Sequence, residues 1–135
     1  MRKQIAVCVP GTGYTCEQPL LWRCAERYAA LGYAVRKLDY GDMDFRSIET
    51  VEEAVEAVKP RVLEQVADLC FSAYDDVAFI SKSLGTAVAS WLDEAVCAHA
   101  RHLMLTPIAQ ALPAFTGPDK VLAAVLGTED PHLDA

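Results

Sequence analysis

The segment whose residue types and spacing best suit chemistry is Phe79-Ile80-Ser81-Lys82-Ser83-Leu84-Gly85-Thr86. An apolar run leads into a turn holding Ser83, and a helical pattern follows at once. That is the arrangement of a nucleophile elbow, whose usual form is Gly-x-Ser-x-Gly. The serine of such a turn sits in a strained backbone conformation, so its neighbours two residues away must be small. Here they are Ser81 and Gly85, the first departing from the usual glycine while staying small. The first amides of the new helix bring positive potential toward Ser83, suited to an oxyanion. An ordinary strand-to-helix turn, with Ser83 as helix cap, uses the same residues without catalysis.

Two further segments are needed for that chemistry. Acyl transfer on such a scaffold takes two backbone donors for the oxyanion, one from the residue after the nucleophile and one from a glycine-rich loop. Leu84 is the first, and the loop is Val9-Pro10-Gly11-Thr12-Gly13-Tyr14-Thr15, with the Thr12 amide as the best donor and Gly13 next. Gly11 and Gly13 let the backbone approach a substrate closely, and with Tyr14 they form the expected substrate-binding loop. Leu126-Gly127-Thr128-Glu129-Asp130-Pro131-His132 then offers Asp130 just past a late strand, in the chain order Ser…Asp…His. By itself this last segment also reads as a solvated turn.

Gly11-Thr12-Gly13 opens equally like a dinucleotide loop, Gly-x-Gly-x-x-Gly, but Cys16 stands at the third glycine. Asp39, the acid ending the next strand, lies 28 positions beyond Gly11, where about 20 is typical. Tyr14, Trp22 and Phe115 are apolar enough to line a pocket, although core packing is the ordinary role of each.

The elements that must position these residues follow from periodicity. Gln4–Val9 is a continuous apolar strand, followed by Leu20, Leu21, Cys24, Ala25, Tyr28 and Leu31 at helical spacing. Thr15 or Gln18 can cap that helix, Pro19 suits its first turn, and Gly32 ends it. Ala34–Asp39 is a second strand, and Val51, Val55, Val58, Val62, Val66 and Leu69 mark a long helix. Thr50 and Glu53 start it as a capping box, and Pro60 is expected to kink or split it. Asp76–Ser81, His102–Leu105 and Val121–Leu126 are further strands, with a helix over Leu84–Cys97 and a loop and short helix around Pro107–Pro118. Strands buried on both faces and alternating with helices specify one α/β domain over residues 1–135, built from right-handed parallel units. Ligands on such sheets bind beyond the carboxyl ends of the strands. His99 and His102 precede a strand, at the opposite edge, so a solvated or a packed role is expected for them.

The 135 residues are 53% hydrophobic and 8% aromatic, with a mean hydropathy of +0.15. Twelve Lys and Arg against 19 Asp and Glu leave a net charge of −7 and no basic stripe, which argues against nucleic-acid or anionic-membrane partners. No apolar run approaches the roughly 18–20 residues of a membrane span. Met1-Arg2-Lys3 precedes only five apolar residues, too few for a signal peptide, so a cytoplasmic location is expected. Cys8, Cys16, Cys24, Cys70 and Cys97 contain no CxxC pair; they read as small buried hydrophobes, with no metal and no cofactor expected.

Taken in order, Pro10-Gly11-Thr12-Gly13-Tyr14, Ser81-Lys82-Ser83-Leu84-Gly85 and Gly127-Thr128-Glu129-Asp130-Pro131 resemble the α/β-hydrolase fold family, particularly small bacterial hydrolases with a PGTGY loop. The resemblance implies a three-layer αβα sandwich on a mostly parallel five-stranded sheet. It makes Ser83 the nucleophile, Asp130 the triad acid, and Thr12 and Leu84 the oxyanion hole, for small ester, thioester or other acyl substrates. In the family the histidine lies beyond one more strand after the acid. Only five residues follow Asp130, and His132 is two positions from it. The domain is therefore expected to be C-terminally incomplete, and the 135-residue chain to be weakly active or inactive. The family order puts Ala34–Asp39 and Val121–Leu126 at the sheet edges, and self-association through the Val121–Leu126 edge is expected. The other reading is a non-catalytic binding domain, for a small molecule or a nucleotide, using Gly11-Thr12-Gly13.

Overall fold

The computed structural model describes residues 3–12, 15–41, 43, 45, 48–105 and the backbone of 121–125. Its first strand, β1 (Gln4–Val9), is apolar on both faces, as a strand covered from both sides must be. Ile5, Val7 and Val9 point to one face, and Ala6 and Cys8 to the other. Helix α1 (Pro19–Ala30) covers the second face through Leu21 and Ala25. It begins with Pro19 in its first turn and ends before Gly32, whose φ of +96° suits glycine. Strand β2 (Ala34–Lys37) is shorter than expected, only partly buried, and pairs on one side with β1.

Helix α2 (Val51–Val66) covers the first face with Ala54, Val58, Val62 and Val66. Thr50 accepts the Glu53 amide at 3.1 Å, half of the capping box read from the sequence. Of the two outcomes expected at Pro60, a split does not occur, because α2 runs through it as one helix. The proline lies on the exposed side of the helix, where a carbonyl left without an N–H donor meets water, while the four-residue apolar stripe holds both halves against the sheet. A short 3-10 turn at Phe71–Ala73 leads into β3 (Asp76–Lys82), then α3 (Leu84–Val96) and β4 (Arg101–Leu105).

Strands β1 to β4 pair in parallel, and the backbone of β5 (Val121–Val125) pairs in parallel outside β4, giving the order β2-β1-β3-β4-β5. The chain runs outward from β1 in one direction and from β3 in the other. The reversal therefore falls between β1 and β3, the position at which such sheets open a crevice beyond their carboxyl ends. Val9 pairs with Ser81, so the two loops that leave these strands emerge level with each other.

His102 is fully buried, with Nε2 2.9 Å from Asp93 Oδ2 and its ring edge-on to Phe79, whereas His99 is exposed. The cysteines divide more than the sequence indicated. Cys8 and Cys16 are buried, Cys24 is intermediate, and Cys70 and Cys97 are exposed because they sit at helix ends, before the 3-10 turn and after α3, rather than on inward-facing positions. No helix among the described residues is long and apolar enough to cross a membrane. The expected short helix around 107–118 lies outside the described residues.

Candidate functional site

Ser83 stands between the last residue of β3 and the first of α3, with φ 52° and ψ −119°. A non-glycine residue at positive φ carries backbone strain of about 1–3 kcal/mol, and surrounding structure must hold it there. Three hydrogen bonds do so. The Ser83 amide donates to the Leu105 carbonyl at 3.0 Å, and the Ser83 carbonyl accepts the Thr86 amide at 2.9 Å and the Thr86 hydroxyl at 2.7 Å. The Ser83 side chain makes no capping hydrogen bond to α3.

The turn can be this tight because its neighbours are small. A Cβ added at Gly85 would stand 2.5 Å from the Pro10 carbonyl oxygen and closer still to that of Val9. Both are backbone atoms and cannot rotate aside. Ser81 is fully buried, between Val9 and Met104 in register, and its hydroxyl has no hydrogen-bond partner among the described residues.

The loop after β1 lies directly against this turn. A Cβ at Gly11 would meet the Lys82 carbonyl oxygen at 2.7 Å and the Ser83 Cβ at 3.2 Å. Two side chains fasten the loop. The buried Tyr40 hydroxyl donates to the Pro10 carbonyl at 2.7 Å. At the other end the Cys16 thiol lies 3.5 Å from the Cys8 carbonyl and 3.4 Å from that of Leu38, tying the loop to the ends of β1 and β2. Burial drives the Tyr40 phenol far above its ordinary pKa, so it stays a hydroxyl donor throughout the working pH range.

Thr12, Ser83 and Leu84 line one pocket of about 230 Å³. Its remaining wall comes from the segment after β2 and the start of α2: Phe45, Ile48, Glu49, Thr50, Val51 and Ala54. Of the residues the sequence singled out, the fold thus brings Gly11, Thr12, Ser83 and Leu84 together. Gly13, Tyr14 and Asp130 lie outside the described residues, as do His132 and Phe115. Trp22 is on the outer side of α1, stacked under the Lys37 ammonium at 3.9 Å, and lines a separate open depression with Glu17, Pro19 and Arg23 rather than the pocket at Ser83.

The sequence reading missed Tyr40 as the anchor of the glycine loop, and it missed Phe45, Ile48, Val51 and Ala54 as the apolar wall. Position beyond the end of β2 was the available signal for both. A second pocket of similar volume lies on the far side of the glycine loop and includes Gly11, Lys37, Asp39 and Tyr40. Among the described residues no group of three or more His, Cys, Asp or Glu is placed to hold a metal ion. Comparison with family models, with curated proteins and with solved structures finds no match for the chain.

Proposed function

We propose that the protein is a serine hydrolase of the α/β-hydrolase type, acting on small ester, thioester or other acyl compounds through Ser83. The observation that carries this reading is the backbone of Ser83. Helix starts ordinarily take an extended cap, and those of the other two α-helices among the described residues do: Gln18 at φ −75°, ψ 154° and Thr50 at φ −122°, ψ 156°. Ser83 at φ 52° departs from them and makes no cap bond, so helix capping accounts for neither its conformation nor its side chain. A strained serine beside a glycine loop, at the reversal of strand order, is what a nucleophile turn requires.

In this reading Ser83 Oγ adds to the acyl carbon while its proton passes to a base. The carbonyl oxygen becomes an oxyanion, received by the amides of Leu84 and Thr12. Helix geometry leaves the first amides of α3 without intrahelical acceptors, which favours Leu84 for this task. One such donor is worth about 10²–10³ in rate. Collapse expels the alcohol or thiol with a proton and leaves acyl-Ser83, which water hydrolyses by the same route. The family pattern gives the base as a histidine oriented by an acid, for which Asp130 is the proposed acid. We further propose association of two copies through the β5 edge, which sedimentation would detect as a concentration-dependent dimer.

A fluorophosphonate probe followed by intact-mass analysis tests the assignment. One adduct is expected, on Ser83, forming slowly in keeping with the weak activity expected of the 135-residue chain, and none on a folded Ser83→Ala variant. An unmodified chain, or an adduct elsewhere, overturns the reading and favours a non-catalytic binding domain.

The nucleotide alternative has one observation in its favour: Gly11 and Asp39 share a pocket. Against it, the helix after the glycine loop starts only at Pro19, which has no N–H, so the loop does not itself run into a helix N-terminus as a pyrophosphate-binding turn does. Asp39 Oδ1 already accepts the Gly41 amide at 2.6 Å. The helix that begins at once is α3, at Ser83. A marked rise in melting temperature with ATP or NAD would reverse this preference.

A further inference from the structure

The wall opposite Ser83 carries information about the acyl group. Ala54 faces the core from the second turn of α2, with Val51 one turn before it, and Phe45 and Ile48 close the side. Leu84 completes an apolar lining that reaches the nucleophile itself. At about 230 Å³, against about 30 Å³ for one water-sized group, the space holds roughly seven non-hydrogen atoms. Typical sites for larger ligands begin near 300 Å³.

Among the described residues from Ile48 to Ala54 the charged groups are acidic. Glu49 lines the pocket, and Glu52 and Glu53 follow in the first helical turn. The Thr50 hydroxyl already takes the Glu53 amide, so the helix end has its cap and its compensating negative charge. A substrate ending in a carboxylate would meet Glu49, and the pocket's described lining residues include no cation.

We infer that the cavity between Ser83 and the start of α2 is an acyl-binding subsite for short, uncharged aliphatic acyl groups of about four to seven carbons, with Ala54 limiting chain length and Glu49 excluding anionic acyl groups. This rests on the serine hydrolase reading. The substrates are then esters or thioesters of short fatty acids. Each turnover breaks the acyl–oxygen or acyl–sulfur bond, forms and then hydrolyses the Ser83 ester, and releases one carboxylic acid and one alcohol or thiol.

The test uses the whole chain with 4-nitrophenyl acetate, hexanoate and dodecanoate and with the mono-4-nitrophenyl ester of glutaric acid. The hexanoate is expected to exceed the dodecanoate and the glutarate ester in kcat/KM by about tenfold or more, the scale on which apolar pockets discriminate. Ala54→Leu lowers hexanoate hydrolysis about tenfold relative to acetate. Ile48→Ala, which only removes atoms from a partly exposed wall, moves the preference toward longer chains. Glu49→Gln raises the glutarate ester relative to the hexanoate. Unchanged ratios in all three variants, with Ser83 still labelled by a fluorophosphonate, overturn the subsite and leave the hydrolase reading standing. Absence of both ester hydrolysis and labelling overturns the two together.

Discussion

Gly85 faces Pro10 so closely that a Cβ built on the glycine would lie 2.5 Å from the Pro10 carbonyl oxygen. The contact joins the start of α3 to the end of β1, and Gly11 makes the reciprocal one to Lys82 at 2.7 Å. Two glycines at interlocked positions thus set the distance between the Ser83 turn and the loop that would supply its second oxyanion donor. The spacing belongs to the backbone, so no side-chain rearrangement can restore it once a methyl group intrudes.

Gly85→Ala is therefore expected to destabilise the fold by about 3 kcal/mol, the upper end for overpacking, because the obstructing atoms are carbonyls. Urea denaturation reads this as a lower midpoint at unchanged slope. A variant as stable as the parent would show that the two strand ends are not locked together.

The strain at Ser83 is measurable without any substrate. Glycine adopts φ 52° without the Cβ penalty, and no cap bond is lost on replacing the serine. Ser83→Gly should raise stability by about 1 kcal/mol net of the entropy glycine returns to the unfolded chain. Ser83→Ala keeps the strain and should not. Equal stability of the two variants would mean that Ser83 is relaxed.

The sheet, the three helices and the Ser83 turn were legible in the alternation of apolar runs with amphipathic stretches, because buried parallel strands and helical stripes leave different periods. Residues 39–50 have no period, so position beyond the carboxyl end of β2 was the one sign that Phe45 and Ile48 line a pocket. The Tyr40–Pro10 bond spans 30 positions and depends on the register of β2 against β1, which composition does not encode. The split expected at Pro60 failed for the opposite reason, since a local rule about helix breaking yielded to a tertiary stripe of four buried residues. Ser81, read as a small spacer, is a buried hydroxyl lacking a partner among the described residues.

That hydroxyl gives a further expectation. Burying an unbonded polar group costs about 1–3 kcal/mol, and alanine fills nearly the same space. Ser81→Ala should leave stability unchanged or raise it by up to about 1 kcal/mol in thermal unfolding. A loss larger than that would show that the Ser81 hydroxyl contributes a stabilising hydrogen bond with a group outside the described residues.

Acid sensitivity should trace in part to Arg36 and Asp68. The guanidinium meets the carboxylate through two contacts of 2.8 Å and also donates to the Gln65 carbonyl at 2.7 Å, linking β2 to the end of α2. The hydrogen bonds from Arg36 hold the Asp68 carboxyl well below its ordinary range, at about 2. A carboxylate with a depressed folded-state pKa stabilises above its unfolded value and loses that contribution as pH falls through the folded one. The loss spans roughly pH 4 to pH 2, and the solvent exposure of Asp68 keeps it small. The stability difference between the parent and Asp68→Asn should accordingly be constant from neutral pH down to about 4 and vanish below about 2. A difference that persists at pH 2 would assign the effect to packing rather than charge.

Tyr40 tests the coupling between fold and chemistry. Its hydroxyl is buried and holds the Pro10 carbonyl, one residue before the Gly11 that touches Ser83. Tyr40→Phe keeps the ring that packs edge-on near Phe45 and removes only the donor. Losing one buried hydrogen bond costs about 1 kcal/mol of stability, with more if the carbonyl is left dry. A loop freed at Pro10 shifts the Thr12 amide relative to an oxyanion at Ser83, and displacements on the order of 1 Å reduce rates by up to about 10². Tyr40→Phe should therefore lower kcat about tenfold while leaving KM nearly unchanged, since the acyl wall of Phe45, Ile48, Val51 and Ala54 is intact. A fall in stability with kcat unaltered would make Tyr40 a structural residue only, and a rise in KM instead would move its influence from the oxyanion loop to the acyl pocket.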